Sequence, residues 1–154
     1  MDLKPGDKAP NFRFAVDGGG DMTLSSLKGR AFVLYFYPKD DTAGCTKEAI
    51  DFSRNRKKFE TLAVDIVGVS KDSVVSHDRF KAKYKLKLAL GSDPETSAAR
   101  AYGVWVEKSL YGRKYMGMER ATFLIDSNGV IREIWRKVKV SGHAEAVLAA
   151  AKSL

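Results

Sequence analysis

The chain of 154 residues has one cysteine, Cys45, and two histidines, His77 and His143. One cysteine excludes an internal disulfide framework, and two histidines beside it cannot complete any common zinc site. No metal is therefore expected. Long apolar runs are missing as well. The longest, Ala31 to Tyr37, is seven residues, far short of a bilayer span, so no membrane partner is expected. The opening Met1-Asp2-Leu3-Lys4-Pro5-Gly6-Asp7 has no apolar signal core, which makes a reducing cytoplasm the expected compartment. With no repeat, low-complexity segment or long linker, residues 1–154 form a single expected domain.

Acidic charge is the minority sign: 19 Asp and Glu stand against 27 Lys and Arg, a net charge of +8. The excess is spread over Arg54–Lys58, Lys81–Lys87 and Arg132–Lys139, and no nucleic-acid-reading motif accompanies it. The expected partners are anionic surfaces, including acidic proteins, rather than nucleic acid. What the chain does have is apolar and aromatic mass. Hydrophobic residues make up 44%, with eight Phe, six Tyr and two Trp, enough for a core without covalent staples.

Ala31-Phe32-Val33-Leu34-Tyr35-Phe36-Tyr37 is short, aromatic and β-branched, and Pro38 closes it, so it reads as a buried strand. Ala63–Ser70 is a second near-continuous apolar strand, expected to be central and covered on both faces. Before them lie extended pieces at residues 11–14 and 22–24, joined by Asp17-Gly18-Gly19-Gly20-Asp21, and a capped turn at residues 25–29. A helix from Cys45 is expected to run to about Glu60 and another, capped by Ser73, to about Tyr84, with Val74, Phe80 and Tyr84 inward. Leu88–Leu90 reads as a short strand at a sheet edge, and Pro94–Tyr102 as a short helix with proline in its first turn. Ser127-Asn128-Gly129 joins two strands as a hairpin, and a last helix covers residues 142–152. The order gives an α/β sandwich with a central mixed sheet flanked by helices, its chemistry at the C-terminal end of a central strand.

Cys45 falls where the first strand has turned into the first turn of a helix. Free backbone N–H groups and the positive end of the helix dipole favour a thiolate there. Thr42, three residues earlier, has a hydroxyl placed to cap the turn and to hydrogen-bond the sulfur. An arginine from elsewhere would add a charge that cannot be titrated away, and the candidate is Arg120, which follows a flexible Gly112–Gly117 stretch and precedes the Ala121–Asp126 strand. Asp40 and Asp41 read as polar loop residues, while Glu48, one turn inside the helix, is placed to pair with an arginine. His77 falls on an apparent solvent-facing helix position and His143 near a helix start, which argues against a histidine-assisted cysteine hydrolase.

The Pro38-xxx-Thr42-xx-Cys45 pattern resembles the active-site signature of the peroxiredoxins. The longer string from Tyr35 to Glu48 is similar to the PrxQ branch, also called bacterioferritin comigratory protein, as are Tyr102–Ser109 and Arg120 with Phe123-Leu124-Ile125-Asp126. The resemblance implies a thioredoxin-like fold and reduction of hydrogen peroxide or organic hydroperoxides, with no cofactor because sulfur supplies the electrons. It makes Cys45 the peroxidatic cysteine, with Thr42 positioning peroxide and sulfur, Pro38 shielding the thiolate, and Arg120 stabilising thiolate and transition state. Gly44, Tyr37 and Glu48 become the candidate substrate-binding residues, Gly44 through its backbone N–H together with that of Cys45. A monomer is implied.

Many members of that branch have a resolving cysteine five residues after the peroxidatic one, where this chain has Ile50. An intramolecular disulfide is impossible, so the expected cycle uses an external thiol: thioredoxin, or glutathione with glutaredoxin. Two other readings stay open on the sequence: a monothiol disulfide oxidoreductase, and a non-catalytic thioredoxin-like holdase.

Overall fold

The computed structural model describes residues 2–154. Its centre is β3 (Ala31–Phe36), whose residues alternate between two cores. Phe32, Leu34 and Phe36 point to one face, Val33, Tyr35 and Tyr37 to the other, and all six are essentially inaccessible. Such two-sided burial is why the run is continuously apolar rather than alternating.

Beside β3 lies β4 (Val64–Ser70), parallel, and beyond it β5 (Ala89–Ser92), also parallel. β1 (Arg13–Val16) and β2 (Asp21–Thr23) extend that side antiparallel, while β8 (Ala121–Ile125) and β9 (Ile131–Trp135) extend the other. The seven strands run in the order β2-β1-β5-β4-β3-β8-β9, a mixed sheet of the thioredoxin-like kind. Because β1 pairs with it, β5 is an interior strand and not the expected edge.

On one face pack α1 (Ala43–Arg54), α2 (Arg56–Thr61), α3 (Val74–Tyr84) and α5 (His143–Ala151). The other face is covered by the N-terminal segment, α4 (Ser97–Ala101) and the root of a separate hairpin, β6 (Trp105–Leu110) with β7 (Arg113–Met118). That hairpin replaces the flexible stretch expected at Gly112–Gly117. Its turn has φ of +51° at Tyr111 and +78° at Gly112, the two positive values that a tight primed turn needs.

The helix expected to reach Glu60 breaks at Asn55, whose side-chain amide donates to the Asp51 carbonyl and competes with the helical ladder. α4 also starts later than expected. Asp93 caps it by accepting from the Ala98 and Ala99 N–H groups at 3.2 and 2.9 Å, leaving Pro94 outside the helix. The Ser73 cap of α3 is present, accepting from Ser76 N–H at 3.1 Å. Among the described residues, no helix is long and apolar enough to cross a membrane.

Candidate active site

Cys45 stands in the first turn of α1, beyond the C-terminal end of β3, and is 2% exposed. The helical ladder begins with Thr46 N–H donating to the Thr42 carbonyl at 2.8 Å, so the N–H groups of Gly44 and Cys45 precede it and have no intrahelical acceptor. Glu48 lies three residues on, one helical turn above Cys45 on the same face. One guanidinium serves both side chains: Arg120 donates through Nη1 to Glu48 Oε1 at 2.7 Å and through Nη2 to Cys45 Sγ at 3.3 Å. A forked, permanently charged donor that bridges two groups on one helix face is a role lysine cannot fill.

The path of the chain brings Arg120 here from more than seventy residues away. Just before it, Glu119 is anchored by its N–H to the Val104 carbonyl at 2.7 Å and by Arg136 to its carboxylate; just after it, β8 pairs with β3. Arg120 itself accepts on its carbonyl from Val138 N–H at 3.0 Å. Gly44 leaves it room, since a Cβ there would meet Nη2 at 3.1 Å. A methyl at this position would crowd the guanidinium.

Glu48 is 1% exposed, and its Oε2 has no hydrogen-bond partner among the described residues. Burial disfavours its charged form, Arg120 only partly offsets this, and the pKa is pushed up to about 7. Among the described residues, the other buried side-chain polar atom without a hydrogen-bond partner is the hydroxyl of Tyr35, which stacks on Phe52 beneath α1. His143 is buried with its ring nearly perpendicular to those of Phe52 and Trp135, its Nε2 2.7 Å from Thr122 Oγ1. Burial and then the nearby Arg120 charge lower its pKa to about 4, which keeps the imidazole neutral.

The other expected site residues are placed less uniformly. Thr42 forms the N-cap of α1 by its backbone, yet its hydroxyl caps nothing and does not bond the sulfur; it donates to the Lys39 carbonyl at 2.9 Å. Pro38 is exposed at the loop's start. Tyr37 is 1% exposed, and its hydroxyl donates to Asp40 Oδ1 at 2.5 Å rather than standing free for a substrate.

Asp41 is an exposed loop residue as expected, but Asp40 is buried, accepting from Tyr37, Ser76 and His77. His77 is fully buried rather than solvent-facing. Its spacing to Phe80 and Tyr84, three and seven residues, is the signal that puts it on the apolar stripe of α3. The sequence also gave no sign of Lys108 on β6, whose pKa is lowered by burial and by the charge of Arg120.

A lone thiol at a helix start at the end of a central strand, held by an arginine in a thioredoxin-like fold, defines a thiol-based redox enzyme. The comparisons agree. Residues 5–134 match the AhpC/TSA family. The putative peroxiredoxin bcp of Coxiella burnetii is 48% identical over 148 residues, covering 96% of this chain and 98% of that protein. Bacterioferritin comigratory protein of Xanthomonas campestris, solved in trapped intermediate and ligand complexes that concern alkyl peroxide reduction, superposes with a TM-score of 0.89 at 45% identity, covering 92% of this chain and 90% of that one. A cysteine-to-serine mutant of Xylella fastidiosa PrxQ superposes at 0.93 with 39% identity, covering 99% and 98%. The chain belongs to the AhpC/TSA family, in its peroxiredoxin Bcp branch, also called PrxQ, and is a thiol-dependent peroxidase. The Xanthomonas protein has serine mutants at two different cysteines, whereas this chain has one cysteine in all.

Proposed function

We propose that Cys45 reduces hydrogen peroxide and organic hydroperoxides in a one-cysteine cycle completed by an external thiol. The carrying observation is the Arg120 Nη2 contact to the Cys45 sulfur at 3.3 Å in a chain with no second cysteine. The thiolate attacks the terminal peroxide oxygen, the O–O bond breaks, and the departing alkoxide or hydroxide takes a proton to leave as alcohol or water. Sulfur has then been oxidised to the sulfenic acid. A thiol attacks that sulfur and displaces water, giving a mixed disulfide, and a second thiol releases Cys45 and carries away the disulfide.

The loop and the first turn divide the work. Thr42 already donates its hydroxyl hydrogen to the Lys39 carbonyl, so its free lone pairs face the task of accepting the peroxide O–H. The N–H groups of Gly44 and Cys45, ahead of the helical ladder, orient the peroxide oxygens. Arg120 stabilises the charge that moves from sulfur to the leaving oxygen, and Glu48 orients Arg120. Pro38 shields the sulfur from the loop side. Tyr37 acts on the substrate only through the loop that its hydroxyl holds.

The reductant is thioredoxin or a glutathione and glutaredoxin pair, the protein works as a monomer, and the free thiol suits a reducing cytoplasm. Steady-state peroxide consumption with each reductant system, on wild type and Cys45→Ser, tests this. Turnover is expected with at least one system in the wild type and with none in Cys45→Ser. Turnover that survives in Cys45→Ser, or its absence with every donor, would overturn the reading.

A further inference from the structure

Beneath the loop that leads to Cys45 lies a buried polar cluster the peroxide chemistry does not use. Asp40 Oδ1 accepts from Tyr37 on the end of β3, and Oδ2 accepts from Ser76 Oγ at 2.8 Å on α3. The same Oδ2 is 2.7 Å from His77 Nδ1, and Asp40 N–H donates to Asp72 Oδ2 at 2.8 Å. His77 Nε2 is 3.0 Å from the Gly91 carbonyl on β5. A carbonyl can only accept, so Nε2 carries a hydrogen. A second proton has to lie between Nδ1 and the carboxylate, since two lone pairs do not approach to 2.7 Å. The His77 and Asp40 side chains, 0% and 4% exposed, thus form a proton-bridged pair cut off from water.

Such a pair does little for stability, because desolvation offsets most of the attraction and an apolar replacement of similar volume is often as stable. What it can supply is geometry. Asp40 stands between Pro38 and Thr42, so the bonds to its side chain tie that loop to β3 and α3.

We propose that Asp40, gripped by His77 and supported by Tyr37 and Ser76, is the positioning residue of the peroxide pocket. It sets where Thr42 and the N–H groups of Gly44 and Cys45 face the peroxide. This rests on the reading of Cys45 as the peroxidatic cysteine. Asp40 and His77 touch neither sulfur nor substrate; they act through the loop.

The test compares three variants with wild type in single-turnover oxidation of Cys45 by hydrogen peroxide, alongside alkylation of Cys45 by iodoacetamide and thermal melting. His77→Gln keeps a donor toward the Gly91 carbonyl and loses the bond to Asp40; His77→Asn places an amide N–H near Nδ1 and keeps that bond; Asp40→Asn removes the charge. A misplaced loop is expected to slow peroxide oxidation about tenfold or more in His77→Gln and Asp40→Asn. Alkylation, which needs no peroxide positioning, stays at the wild-type rate or rises, and His77→Asn recovers most of the peroxide rate. Peroxide rates within about twofold of wild type in His77→Gln and Asp40→Asn would overturn the proposal, as would losses equal in His77→Gln and His77→Asn that follow their melting temperatures. A wild type whose Cys45 does not react with peroxide would remove the functional reading and this inference together; a reactive wild type with unaffected variants removes this inference alone.

Discussion

Arg120 concentrates three demands on one side chain: charge, two donors in a fixed fork, and access to a buried sulfur. Arg120→Lys keeps the charge and loses the fork, so it cannot hold Glu48 Oε1 and Cys45 Sγ together. Loss of a preorganised donor aimed at developing charge costs about a hundredfold or more in rate. Stopped-flow oxidation of Arg120→Lys should show that loss with the folded state intact, and a rate near wild type would mean that charge alone suffices. Below it, two buried titrating groups oppose each other. Glu48 holds its proton more tightly when folded, its pKa raised from 4.5 to about 7, so its contribution is complete below about 4.5 and is lost as pH rises through about 7. That contribution is roughly 3 kcal/mol. His143 runs the other way: its folded pKa falls from 6.5 to about 4, so stability is lost as pH falls through that window. Wild type should therefore show little net slope from these two groups between about pH 4.5 and 6.5. Urea unfolding at both ends should show Glu48→Gln gaining stability with rising pH and His143→Gln losing it. Variants that keep the wild-type slope would contradict the assignment.

The strands β3 and β4 were legible because burial on both faces writes a continuous apolar run into the sequence. The β6–β7 hairpin was not: its residues are mostly exposed, its hydrophobic alternation is weak, and Tyr111-Gly112 closes a turn that usually carries Asn-Gly. The break at Asn55 is hidden in the sequence because the apolar positions Phe52 and Phe59 keep a helical spacing across it. Packing between the two central strands has its own test. A Cβ on Gly68 of β4 would lie 2.6 Å from Cζ of Tyr35 on β3, whose buried ring is stacked on Phe52. Gly68→Ala should lower unfolding free energy by about 1–3 kcal/mol through overpacking. Denaturant unfolding with an unchanged midpoint would show that the ring has room.

For the molecule as a whole, Cys45 and its helix start were visible in the sequence, as was Glu48 one turn later, because spacing along one helix is local information. Arg120 could be named but not placed; only the pairing of β8 with β3 delivers it to the sulfur. The burial of Asp40 and His77 is hidden for the same reason: each is the other's partner, 37 residues away, and their polarity suggests water. Thr42 kept its position and lost its expected bond, since the Lys39 carbonyl takes its hydrogen. What remains is a peroxidase whose lone cysteine must borrow its second thiol. Intact mass analysis after one equivalent of hydroperoxide tests that most directly. One added oxygen is expected on Cys45, none in Cys45→Ser, and return to the reduced mass when a thiol is supplied. A protein whose mass does not change, or whose oxygen is carried by another residue, would contradict it.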